Sequence, residues 1–285
     1  MDLLLLKLFL APSLVVVSAL AGRRWGPAVA GVLVGLPIVA GPILFITHQQ
    51  HGAAFLESAA GSSLLGLVSL AVFAVVFAHV GRRAGWFVTT ATTWAAVLCA
   101  DFALSFLRVP VLVSFVCTLT ATTIAVFAMP KPEPDHPPDS TPSPPPRWDL
   151  LGRAAATGGL VLVVTTASTA LGPGWTGLLA PFPIATSVLA GFVHAQHGSA
   201  ITARALTGVI TGLFGFASFC FVLTVLAVPL GTAAFAAAAG ATIVVQVLVV
   251  RIRNAARRAL ITRLASWPPC APTSWWPKTN RNRLS

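Results

Sequence analysis

Charge is what this chain lacks. Only 9% of its 285 residues are charged, against roughly 25% in a soluble globular domain. Polar composition is confined to residues 130–149 and the last thirty or so, which excludes any large water-soluble domain. Cysteine is also sparse. Cys99, Cys117 and Cys220 lie inside apolar runs and Cys270 lies in the tail, and none has metal-ligand spacing. That excludes a disulfide framework and gives no reason to expect a metal or other cofactor. No G-x-S-x-G, H-E-x-x-H, phosphate-loop or dinucleotide-binding pattern stands in a suitable context. No nucleophile–base pair is evident, so the chain is not read as an enzyme.

What the chain has instead is apolar runs of about 20 residues from end to end, the length that crosses a bilayer. The expected fold is all-α: a polytopic membrane protein with spans near 3–21, 27–47, 62–80, 86–107, 109–129, 151–171, 175–194, 208–228 and 231–251. Turn and charge signals such as Gly22-Arg23-Arg24, Gly81-Arg82-Arg83 and Pro229-Leu230-Gly231 separate them. The first run could pass for a signal peptide. However, it lacks a preceding positive segment and has a counterpart in mid-chain, so it is expected to stay as a helix.

The sequence is written twice. Residues 7–108 align without a gap on 153–254, a constant offset of 146. His48-x-Gln50-His51-Gly52 falls on His194-x-Gln196-His197-Gly198, Gly26-Pro27 on Gly172-Pro173, Pro37-Ile38 on Pro183-Ile184 and Gly66-Leu67 on Gly212-Leu213. The expected organisation is a first four-helix unit (1–108), an adaptor helix (109–129), a Pro-rich linker (130–149), a second four-helix unit (150–254) and a basic tail (255–285). An odd number of helices between the units inverts the second relative to the first, a transporter-like architecture.

The net charge of +11 is read as topology rather than nucleic-acid binding. With nine spans, sixteen of the eighteen basic residues fall on the cytoplasmic side, and only Lys7 and Arg108 fall outside. The expected location is the inner membrane, multi-pass, with the N-terminus outside and the C-terminus cytoplasmic. The tail, with Trp267, Trp275, Trp276 and several arginines, is expected to meet anionic lipid. Oligomeric state is not legible.

Candidate site residues follow from chemistry at depth. Pro37, Pro42, Pro181 and Pro183 sit in the second span of each unit. Proline removes a backbone donor and frees a carbonyl, which in lipid needs a partner or a cavity. Interrupted helices at matching places in inverted halves point to a central substrate site; simple kinks are the plainer reading. Asp101 is the one acid well inside a span, a candidate for substrate contact or for proton or cation coupling. Its plainer reading is an interfacial contact with Arg108. His48 and His51, and their copies His194 and His197, are candidates for gating or proton coupling. Alternatively they cap helix ends, with glycine ending the helix. The threonines dense from 89 to 169 are read mainly as packing residues.

The stretch Trp175-Thr-Gly-Leu-Leu-Ala-Pro-Phe-Pro-Ile-Ala-Thr186, followed by His194-x-x-His197-Gly198, resembles the GlpM family. These are small four-helix inner-membrane proteins of about one repeat in length, with a similar proline segment and polar turn. The likeness covers 175–250 and, more faintly, 29–104. The chain departs from it in being a fused pair with an added helix and linker. Gly35 and Leu36 also stand where the second copy has Pro181 and Phe182. The resemblance implies a membrane location and names no activity. The functional expectation is a secondary transporter or permease for a small solute. The alternative is a non-transporting scaffold or accessory subunit of an envelope process.

Overall fold

The computed structural model describes residues 2–38, 40–107, 109–130, 148–171 and 182–265. The bulk of the linker, Pro181 and the end of the tail lie outside the described residues, as does Arg108. Every regular element described is an α-helix. In chain order these are α1 (Asp2–Trp25), α2 (Pro27–Gly35), α3 (Ala40–His51), α4 (Ala53–Val80), α5 (Trp86–Ser105), α6 (Val111–Ala128), α7 (Asp149–Leu171), α8 (Ile184–Leu230) and α9 (Ala233–Ala265).

Among the described residues, seven helices are long and apolar enough to cross a membrane, counting α2 and α3 as one broken span, 27–51. These suit a multi-pass membrane protein. α8 holds 47 residues, about 70 Å at roughly 1.5 Å per residue, over twice the ~30 Å hydrocarbon thickness. It is divided at Gly198, where φ is 78° and ψ −177°, a conformation open essentially to glycine alone. Before Gly198, Ser187 bonds Trp94, Gly191 lies against Thr90 and His194 bonds Gly81. This arm therefore runs along α5 towards the 81–85 turn. After Gly198, Thr224 lies against Gly61, near the start of α4, so the second arm runs back. α8 is a helical hairpin with a one-residue tip. Gly52, between α3 and α4, has φ 81° and ψ −179°, the same conformation 146 residues earlier.

Helix limits differ from the sequence expectation at these tips. The spans expected over 62–80 and 208–228 begin at Ala53 and just after Gly198. Glycine turns the chain within one residue, and the Ala- and Leu-rich stretches beyond it stay helical despite Glu57, Ser199 and Arg204, all compatible with a helix.

The core lies between α4 and α8. Leu56, Leu64, Phe73 and Phe77 of α4 and Leu206, Leu213 and Leu223 of α8 are fully buried. α2 crosses the second arm of α8 backbone to backbone. A methyl on Gly31 would fall 1.8 Å from the Ala205 carbonyl oxygen, and one on Gly208 2.0 Å from that of Ala28. Gly35 and Gly212 meet one turn further on. Both helices carry G-x-x-x-G, whose missing side chains allow helices in lipid to gain packing and carbonyl contacts.

The outer helices are polar inside and apolar outside. α5 buries Thr89, Thr93, Val97 and Asp101, and α6 buries Ser114, Thr118, Thr122 and Ala125. Their outward faces present Phe87, Phe102, Leu112, Val116 and Phe127. Of the buried threonines, Thr93 bonds the Thr89 carbonyl at 2.6 Å, and Thr118 bonds both Ser114 on its own helix and Leu64 on α4, at 2.8 and 2.7 Å. These features belong to one compact unit, residues 1–246. A second unit, 247–285, has as its described part the far end of α9, with exposed Leu248, Arg251, Ile252 and Arg253.

Candidate functional site: two helix breaks and two polar ends

Both expected proline breaks have the same form. At the first, α2 ends at Gly35, the amide of Ile38 donates to the Leu36 carbonyl at 2.8 Å, and that of Gly41 donates to Pro37 at 2.8 Å. At the second, Pro183 has φ −79° and ψ 61°. The amide of Ile184 donates to the Phe182 carbonyl at 2.8 Å and that of Ser187 to Pro183 at 2.8 Å. These bonds, two residues apart and spanning a proline, are inverse γ-turns. Each turn hands over to a new helix whose first amides lack intrahelical acceptors, leaving a partial positive charge at the break. Pro42 plays a different part. It lies exposed in the first turn of α3, where a missing donor costs nothing.

The first break has a buried polar neighbour. A methyl on Gly215 would touch both the Leu36 side chain, at 3.3 Å, and Gln246 Oε1, at 3.1 Å. Gln246 thus sits beside the first break, with its amide nitrogen and oxygen buried and unpartnered. The residue matching Gly215 in the first copy is Ser69, and the one matching Gln246's neighbour Val247 is Asp101. Asp101 is 5% exposed and faces Ser69; the Asp101 Oδ2 and Ser69 Oγ atoms are buried without hydrogen-bonding geometry to any partner. Among the described residues Asp101 has no ion-pair partner. Trp94, two turns before it on α5, donates to Ser187 at 2.9 Å and packs edge-on to Phe182 at the second break.

The histidine pairs stand at opposite ends of the molecule. His48 packs on Phe235 at the start of α9, and His51 stacks on Phe55. His194 donates through Nε2 to the Gly81 carbonyl at 2.8 Å and meets the Phe77 ring edge-on. His197 is exposed. The second arm of α8, about 48 Å at roughly 1.5 Å per residue, separates the two pairs. His194 does cap a carbonyl, but one belonging to another turn rather than to its own helix end. The Nδ1 atoms of His48 and His194 are both buried without a partner.

One polar centre was not singled out from the sequence. Asp149, at the first turn of α7, is 1% exposed. It accepts from Arg23 Nη2 at 2.8 Å, from Arg153 Nε at 3.0 Å, and from Gln196 Nε2. Arg153 Nη2 also donates to Gln196 at 3.3 Å, and its guanidinium lies 5.1 Å over the Phe192 ring. Burial opposes charge on Asp149, but the bonds from Gln196, Arg23 and Arg153 outweigh it and hold the carboxyl below its ordinary value of 3.8. The available signal was Asp149-x-x-x-Arg153, an acid at a helix start with a base one turn on. It was hidden because residue 149 falls at the end of the Pro-rich stretch. At the same end, Arg82, Phe127, Met129, Ser199, Arg204 and Thr207 line a cleft of about 300 Å³.

In comparison with known proteins, the chain matches no family model, no curated protein and no solved structure.

Proposed function

We propose that this protein is a secondary transporter or permease for a small solute, built from two inverted four-helix units. The observation that carries the proposal is the pair of γ-turn breaks at Pro37 and Pro183. Their hydrogen bonds match, they lie 146 residues apart in a repeated sequence, and the first has the buried, unpartnered Gln246 beside it. Broken helices at corresponding places in two halves are what a midplane solute site is made from. Hydrogen-bonding groups left without partners at that depth are costly unless something hydrates or binds there.

In this reading the spans number nine: α1, the broken pair α2–α3, α4, α5, α6, α7, a span ending in the first arm of α8, its second arm, and α9. The end holding Arg23, Asp149 and the 81–85 turn is cytoplasmic, because the arginines gather there. The N-terminus is then outside and the C-terminus inside the inner membrane. Gln246 and Asp101 contact the solute or its coupling ion. The GlpM-like character of each unit belongs to the same reading.

The test is gradient-driven uptake in proteoliposomes of the purified chain, screened over labelled polyols, amino acids and organic ions. One class of solute should accumulate, and Pro37→Ala, Pro183→Ala and Asp101→Asn should each slow its uptake at least tenfold. Unchanged uptake in all three variants overturns the proposal. Failure to move any solute, together with a stoichiometric partner retained in mild detergent, establishes the scaffold alternative instead.

A further inference from the structure

We infer that the Arg23–Asp149–Arg153–Gln196 network is a conformational latch that closes one end of the molecule only. The inference rests on the transporter reading above and adds to it a regulation of access.

The network joins three elements at a single carboxylate. Arg23 comes from the last turn of α1, Asp149 and Arg153 from the first turns of α7, and Gln196 from the tip of the α8 hairpin, two residues before Gly198. Both oxygens of Asp149 are occupied, and the carboxylate has two guanidinium partners in a nearly dry setting. A pair desolvated in this way is strong while its geometry lasts and costly to leave half-made. It therefore favours two distinct arrangements, made or released, over a loose intermediate. The members differ in exposure. The side chain of Asp149 is 2% exposed and that of Arg153 4%, but that of Arg23 is 38%. The bond from α1 is the one that water can compete for, so it is the releasing step.

The repeat supplies the second argument. Applying the 146-residue offset, the positions that match Arg23, Arg153 and Gln196 are Thr169, Lys7 and Gln50, and Asp149 extends to Leu3, next to Asp2. The first arginine has become threonine, so the α1 bond has no counterpart at the matching position of the other unit. Two units alike in their breaks and glycine tips thus differ in this one device. An inverted pair with equal ends has no built-in preference for either opening, whereas a latch at one end sets a resting state closed on that side.

The experiment uses the full chain in nanodiscs, with native cysteines replaced and spin labels on exposed positions. The pair Arg24→Cys with Ala195→Cys reports the Asp149 end, and Gln50→Cys with Thr232→Cys reports the His48 end. Arg23→Gln removes the α1 bond and leaves the buried Asp149–Arg153 pair intact. It should raise the long-distance population of the first pair at least threefold and shorten the second pair's distances; Arg23→Lys should restore both. Gln196→Leu, which frees the hairpin tip from α7, should act like Arg23→Gln. An unchanged first pair in both variants overturns the latch while leaving the transport reading untouched. Opening of the first pair with no response at the second keeps the latch and overturns alternating access. A lowered Tm with both pairs broadened identifies a packing contact, and also overturns the latch.

Discussion

His194 and Gly81 are 113 positions apart, yet the Nε2 proton of His194 is donated to the Gly81 carbonyl at 2.8 Å. That bond pins the tip of the α8 hairpin to the turn between α4 and α5. The turn itself has no regular structure to satisfy its carbonyls, so the imidazole serves as an external cap. Replacing His194 with Ala should lower stability by about 1–3 kcal/mol, the cost of an unmet buried acceptor. The check is a thermal melt in detergent, where His194→Gln should recover part of the loss. An Ala variant as stable as the parent would show that water takes over the bond.

The opposite placement of the histidine pairs makes a sidedness prediction. His51 and His197 are both exposed. Single cysteines at these two positions, in a background without native cysteines, should react with an impermeant maleimide from opposite faces of the membrane. The cysteine at 51 should be labelled from outside and that at 197 from the cytoplasm. Labelling of both from one face would rule out the inverted arrangement.

Backbone contact at the α2–α8 crossing makes it intolerant of added atoms. Gly31→Ala and Gly208→Ala would each set a methyl within about 2 Å of a carbonyl oxygen, so the helices must separate. The expected cost is about 3 kcal/mol or more, at the upper end of overpacking, read as loss of folded protein in size-exclusion profiles. Gly240→Ala, where the added methyl meets nothing, should be harmless and serves as the control.

Asp149 predicts a pH dependence with a definite sign. Its carboxyl titrates below its ordinary value of 3.8 in the folded protein, so folding favours the charged form. The stability it contributes is fully present above about pH 4 and is lost as pH falls through the lower, folded value. Asp149→Asn leaves Arg153 buried without its counter-ion and should cost about 3 kcal/mol at neutral pH. Melting curves should show a constant gap between parent and variant down to about pH 4, closing below it. A gap that closes near pH 6 would assign the effect to another group.

Much of this structure was legible where a residue's covalent chemistry acts alone. Pro37 and Pro183 lack an amide hydrogen, so they mark breaks whatever surrounds them. The 146-residue offset places the two breaks in register. Gly52 and Gly198 were legible as places where a helix stops, but not as one-residue reversals. A helix end and a hairpin tip demand the same glycine, and only the packing of the next helix tells them apart. The α2–α8 contact carried a readable G-x-x-x-G on each helix, yet nothing local says that Gly31 meets Ala205 rather than a second copy of itself. The Asp149 network was least legible, because its partners come from positions 23, 153 and 196 and converge only once three helices have docked. Asp101 stood out as a buried acid; the expectation that it meets Arg108 falls on a residue outside the described set.

The glycine crossing has one more consequence. Where α2 meets the second arm of α8, backbone rests on backbone, with no side chains to change rotamer and take up a displacement. Close-packed surfaces of that kind do not slide by small steps. Since α2 lies in the first half of the sequence and α8 in the second, this backbone contact joins the two halves directly. In the transport reading proposed above, the crossing is the axle about which the other helices turn.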